Sequence, residues 1–193
     1  MADKLSIINS ALRLTGNEPV TTNDGSDAWE VASEAYDAEL PLLIGRRDWG
    51  FASTVVPLTA APSNPSKAFA YAYVRPPAAL QLLDVYASGI GLGSYDIIDN
   101  LICCDAPDTV SAKILRLPDE AAWAVGFAEV LKLKVMAGIY RGLHDDPAEA
   151  AAIERKAEGF LDEIASRVSQ ERKGRALMKS RISARRRYGG QPR

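Results

Sequence analysis

Histidine and cysteine are almost absent from this 193-residue chain, which has one His, His144, and two Cys, Cys103 and Cys104. That set cannot build an ordinary four-ligand zinc site, and no other metal or cofactor is expected. Adjacent cysteines seldom bridge each other. Because the pair sits in an apolar, strand-like run, it reads as buried free thiols of a reducing compartment. His144 lies in a polar loop with no nucleophile and base beside it, the pattern of an exposed side chain rather than a catalytic one. Long apolar runs are missing too, with nothing near the roughly 18 residues that span a bilayer. The opening residues Met1-Ala2-Asp3-Lys4-Leu5 lack a charged stretch followed by an apolar one, so no secretory signal is expected.

Acids are missing from one end. Arg172 to Arg193 holds nine Lys/Arg and no Asp or Glu, although the whole chain carries a formal charge of only −2. Residues 1–171 therefore have 14 basic against 25 acidic residues, a net charge of −11. An acidic body with a basic tail is the mark of an interaction segment, the alternative being a solvated helix end.

Motifs that would carry chemistry are weak. Gly89, Gly91 and Gly93 lack the full dinucleotide fingerprint and no Lys-Ser/Thr pair follows, so they read as a flexible connection between strands. Asp145-Asp146 suits helix capping better than metal binding. Asp37 with Glu39, and Asp162 with Glu163, read as charge on solvated helix faces; glycosidase chemistry would need carboxyls opposed across a cleft. No catalytic residue is expected, and the chain reads as a non-enzyme.

Composition fits one domain: 47% hydrophobic and 25% charged residues, at a length that buries a core without staples. Asp3 can cap a first helix running to Thr15, with Leu5, Ile8, Leu12 and Thr15 on one face and Gly16 as its stop. After a turn-rich loop from Asn17 to Gly25, a second helix is predicted from Ser26 or Asp27 to Asp48, kinked at Pro41. Trp49 and Phe51 then pin the chain to the core. Residues 52–118 carry recurrent prolines and short strand-like stretches: Phe69, Tyr71 and Tyr73 in alternation, Leu80–Tyr86, Tyr95–Ile98, Leu101–Cys104 and Ser111–Leu117. Asp99-Asn100 suits a two-residue hairpin loop. Together they predict one small, mainly antiparallel sheet.

Helix returns from Asp119 to Leu143, with Trp123, Phe127, Val130, Leu131 and Met136 inward. Asp146, Pro147 and Glu149 then form the clearest helix start in the chain. The last helix carries an apolar stripe of Ile153, Ala157, Phe160, Leu161, Ile164 and Val168, beyond which arginines take over. The expected fold class is α+β: a four-helix core (1–51 and 118–172), an inserted small antiparallel β-rich region (52–117) and an extended basic C-terminal arm (173–193).

Three stretches resemble the head–tail adaptor (connector) family of tailed bacteriophages, called tail tubular protein A in short-tailed phages. They are Ile8-Asn9-Ser10-Ala11-Leu12 followed by Gly16-Asn17-Glu18-Pro19-Val20; Tyr36 to Ala52, where a helix ends in Arg46-Arg47-Asp48-Trp49-Gly50-Phe51-Ala52; and Tyr73-Val74-Arg75-Pro76-Pro77 leading into Leu80–Val85. The third departs from the family pattern at Arg75, where Leu is usual, and at Ala79, where Cys is common. The resemblance implies a structural virion protein at the head–tail junction, assembled in the host cytoplasm. It implies a homo-oligomeric ring, usually of twelve subunits, between the portal protein and a tail tube or nozzle protein. DNA passes through such a ring without specific binding, and no membrane is involved. The family layout places the C-terminal arm against the portal. With the tail's charge, that selects Arg175, Lys179, Arg181, Arg185, Arg186, Arg187 and Tyr188 as portal-binding. The competing readings are a nucleic-acid-binding protein using the same tail, and a virion-borne wall hydrolase.

Overall fold

The computed structural model describes residues 3–107 and 109–171, with the side chains of 169–171 excepted. Among these residues it is a mixed α and β structure with four α-helices and two small antiparallel sheets.

Helix α1 spans Lys4–Leu14, and the Asp3 carboxylate accepts from the Ser6 N–H at its start. Gly16 at φ +80° lets the Asn17 N–H return to the Leu12 carbonyl, closing the helix with a left-handed cap. Its buried face is Ile7, Ile8, Ala11 and Leu12, joined by Thr15; Leu5 is only half-buried, and Ile7 was not anticipated. Helix α2 spans Asp27–Gly45, with Ser26 accepting from the Trp29 N–H. It runs on through Pro41 and stops three residues short of the expected Asp48, with Arg46 at its C-cap.

The inserted segment forms two sheets rather than the one expected. The first has the order β1-β7-β3-β4, from Ser53–Pro57 (β1), Gln81–Ala87 (β3), Ile90–Gly91 (β4) and Val110–Leu115 (β7). The second has the order β2-β6-β5, from Tyr71–Val74 (β2), Asp96–Ile98 (β5) and Leu101–Cys104 (β6). Strand β1 escaped the sequence reading because its alternation is weak and ends in Pro57; at a sheet edge a proline removes no needed ladder bond. Phe69 lies outside β2. The Asp99-Asn100 turn is as expected: both residues have positive φ, 50° and 60°, the mirror-image geometry that matches strand twist. Along β7, Val110, Ala112 and Ile114 pack with Tyr73, Val85, Ile102 and Cys104 between the sheets, while Leu115 joins the helical core. This last strand ties the sheets to the helices.

The third helix starts later than expected. Asp119 and Glu120 open only a three-residue 3-10 turn, Glu120–Ala122, and α3 spans Phe127–Gly142. Gly126 explains the break, because its φ of +91° lies outside helical space. Trp123 thus packs on the core from the preceding loop, and Met136 is half-buried. Helix α3 buries Phe127, Val130, Leu131, Leu133, Lys134, Val135, Ala137 and Ile139. A helix buried on so many sides is a central one, and α1, α2 and α4 all pack against it.

Helix α4 spans Pro147–Glu171. Asp146 Oδ1 accepts from the Ala148 and Glu149 N–H groups, as predicted. The reciprocal half of a capping box is not made, since the Asp146 N–H donates to the Tyr140 carbonyl. The buried stripe is Ala150, Ile153, Ala157, Leu161, Ile164 and Ala165, with Val168 half-buried. Phe160, expected inside, is 39% exposed.

Candidate docking surface

The stretch Arg46–Ala52 is the junction of the molecule. Arg46 donates to Glu158 at 2.5 Å and Arg47 to Asp162 at 2.5 Å, so the end of α2 grips two successive turns of α4. Asp48 takes Lys113 of β7 at 2.7 Å. Trp49, 1% exposed, donates its indole N–H to the Leu43 carbonyl and stacks with Phe51 and Phe127 at 5.5 and 5.6 Å. Phe127 also meets Phe51 and Trp123, each at 5.2 Å, in edge-to-face geometry. Five residues between Arg46 and Phe51 thereby fix α2, α4 and the first sheet to one another.

The second grip on α4 comes from the central helix. Lys134, 5% exposed, sends its ammonium to Glu158 at 2.6 Å, so one carboxylate serves both Lys134 and Arg46. The Arg46 and Lys134 hydrogen bonds hold the Glu158 carboxyl below the usual carboxylate range. Arg141 pairs with Glu154 a turn earlier. At the far end, Gly126 lies against Ile164: a methyl group built there would sit 3.0 Å from Ile164 Cδ1. These pairings set α4 antiparallel to α3, with Ile164 level with the start of α3. Helix α4 then continues for seven residues to Glu171, about 10 Å past that point.

Other sequence motifs make structural hydrogen bonds. Asn9 clasps the loop after α1, accepting from the Val20 N–H at 2.8 Å and donating to the Val20 carbonyl at 3.0 Å. Tyr73 donates its hydroxyl to the Ala106 carbonyl at 2.7 Å. Arg75 reaches the carbonyls of Ala79 and Leu80 at 3.3 and 3.4 Å.

Candidate chemistry is dispersed. His144 is exposed, 2.9 Å from the Asn17 amide and stacked on Tyr140. Cys103 and Cys104 are buried free thiols. Asp37, Asp162 and Glu163 are exposed but ion-paired, with Lys4, Arg47 and Arg167 respectively, so they are not simply solvated charge. Gly89 sits with Ser88 in a tight positive-φ turn joining β3 to β4, and Gly91 lies within β4, so the glycines form a hairpin rather than a loose connection. Among the described residues, no three His, Cys, Asp or Glu are grouped to hold a metal, and no helix is long and apolar enough to cross a membrane. The expected portal-binding residues Arg175, Lys179, Arg181, Arg185, Arg186, Arg187 and Tyr188, and the arm 173–193 that carries them, lie outside the described residues. No family model matches this chain, and no curated protein matches it.

What sequence reading missed is the loop before α3. Residues Ala121-Ala122-Trp123-Ala124-Val125 are all apolar, and Val125 is 93% exposed. The only signal was Gly126, hidden inside what looked like one continuous helix.

Proposed function

We propose that this chain is a non-enzymatic structural protein of a tailed-phage virion, the adaptor ring between portal and tail. Its plan is a four-helix core, formed by residues 1–51 and 118–172, carrying the β-rich segment 52–117. The basic arm 173–193 docks on the portal, and a tail tube or nozzle protein takes the opposite side. Twelve copies close the ring around the DNA channel at the head–tail junction.

One observation carries this reading: α4 runs on past the start of α3 and leads straight into a segment with nine cations and no acid. A helix that runs past the start of its partner α3, followed by such a segment, is suited to be completed by another molecule. Arginines there can grip carboxylates in bidentate pairs, which gives the contact direction as well as strength. The opposite charge of the body, −11 over residues 1–171, suits a channel that must release DNA, since basic linings hold phosphate.

The test is a variant ending at Gln170. It is expected to keep its thermal unfolding profile and to lose binding to the portal protein of the same phage. Unchanged portal affinity would remove the reading. Tight binding of duplex DNA by the intact chain at moderate salt would favour the nucleic-acid alternative instead.

A further inference from the structure

We propose that copies of this chain join head to tail through the first sheet. The free edge of β4 in one copy pairs antiparallel with the free edge of β1 in the next, Gly91 opposite Val55. This names the contact between subunits of the proposed ring and rests on the ring part of that reading.

Backbone directions are the first argument. In an antiparallel ladder, alternate residues turn their N–H and C=O groups toward the partner strand and the others turn them away. At the two ends of β1, the Leu58 N–H donates to the Val110 carbonyl and the Arg116 N–H to the Ala52 carbonyl, both in register with the β1–β7 pairs. Thr54 and Val56 therefore face β7, and Ser53, Val55 and Pro57 face the open side. The Leu92 N–H donates to the Val85 carbonyl, so Gly91, opposite Tyr86, faces away from β3. The N–H and C=O groups of Val55 and Gly91 have no partner among the described residues.

The second sheet shows the contrast. Its β2 edge is flanked by residues 59–61: the Ala61 N–H donates to the Ala72 carbonyl and the Val74 N–H to the Thr59 carbonyl, each at 2.8 Å. Because Ala72 and Val74 bond outward, Tyr71 and Tyr73 face β6, and the register across β6 leaves Ile97 facing out on β5. The Ile97 N–H is plugged by the Asp96 carboxylate at 2.8 Å. One sheet is thus flanked or plugged on both sides and the other is open on both, and an open edge is a template for another strand.

Strand order selects a second copy as the occupant. Every neighbouring pair in β1-β7-β3-β4 is antiparallel, so β1 and β4 run in opposite directions at opposite ends of the sheet. A copy set alongside presents its β1 antiparallel to β4, and repetition of that one contact uses both open edges of every copy. Head-to-tail contacts of this kind close into rings. Side chains agree. Ile90 lies opposite Ala87, and Ala87 opposite Val110, so Ile90 shares the face on which Val110 is buried, yet Ile90 is 74% exposed. With Gly91 opposite Val55, Ile90 meets Val56 of the next copy, which packs against the same apolar cluster as Val110.

Cysteine pairs test the register. Residues opposite each other in a non-hydrogen-bonded antiparallel pair have Cα atoms about 4.5 Å apart, within disulfide reach. The full-length chain is made with Val56→Cys, with Ile90→Cys and with both; the native Cys103 and Cys104 are buried. Each is oxidised alone and mixed, with and without the portal protein, and run on non-reducing gels. The mixture of single variants should give a covalent dimer that neither gives alone, and the double variant a ladder of multimers. Ile90→Lys, at an exposed position where thermal unfolding should stay native, should weaken self-association about tenfold in sedimentation velocity. No dimer from the mixture overturns the inference. So does a dimer from Val56→Cys alone, because β1 would then pair with its own counterpart about a two-fold axis. Rings of native size without these cross-links overturn it while leaving the ring reading intact. A native chain that stays monomeric alone and with portal removes the ring, and this contact with it.

Discussion

Replacing Gly138 with Ala sets two known effects against each other. In a helix interior the change favours folding by about 1 kcal/mol, because glycine gives up more backbone freedom. Here the new methyl would lie 2.5 Å from the Cβ of Ala35 on α2. Carbon atoms rest at about 3.5–4.0 Å, so α2 and α3 must part by roughly 1 Å. Ala35 Cβ is fixed to the backbone and cannot rotate aside. Overpacking costs about 1–3 kcal/mol, and a rigid contact belongs at the upper end. The net expectation is about 2 kcal/mol of destabilisation. For a chain of this size that lowers Tm by about 4–8 °C. Differential scanning calorimetry reads the shift, and urea unfolding gives the free energy. Ala35→Gly in the Gly138→Ala background restores room for the methyl and should recover part of the loss. Gly142→Ala serves as the comparison. Its methyl meets Val31 Cγ1 at 2.5 Å and Cγ2 at 3.2 Å, a β-branched side chain held near one rotamer in its helix, so a comparable cost is expected. A Tm at or above native for Gly138→Ala would refute the close approach of α2 and α3.

Glu158→Gln should cost about 2 kcal/mol, since it weakens two charge-assisted bonds and leaves Lys134 poorly compensated; Lys134→Met added to it should recover part of that loss. The lowered pKa of Glu158 means its contribution is complete above the unfolded value near 4.5 and disappears as pH falls through the folded value. Native stability measured by denaturant between pH 6 and 3 should therefore fall more steeply than that of Glu158→Gln, and parallel curves would refute the bridging role. Asn100→Gly should raise stability by up to about 1 kcal/mol in urea unfolding, because glycine occupies φ +60° without strain; a loss would mean that the Asn100 side chain matters more than its backbone.

Local features of the fold were legible wherever the relevant physics is local. Asp3, Ser26 and Asp146 cap their helices because a side-chain oxygen needs only the next few N–H groups. The Asp99-Asn100 hairpin follows from two residues that tolerate positive φ. The break before α3 was not legible, since nothing in its neighbours separates Gly126 at φ +91° from a glycine tolerated inside a helix. Nor was the outward turn of Phe160, because an apolar residue at helical spacing looks the same on either edge of a stripe. The roles of Arg46 and Arg47 were invisible for the same reason, their partners lying more than a hundred positions away.

Composition and pattern alone determined that this chain has helices at both ends of a β-rich segment, one histidine and two cysteines, and a basic end joined to an acidic body. The tertiary structure decided that the strands divide into two sheets, that α3 is the helix around which the others pack, and that Arg46–Ala52 binds α2, α4 and the first sheet into one frame. It also decided that Val125 faces outward, next to the Gly126 that lies against Ile164 of α4. Caps and turns depend on neighbours in the chain, which the sequence spells out directly. Which strands pair, which face is covered and which ions meet depend on the simultaneous packing of distant segments, and only the folded chain resolves that competition.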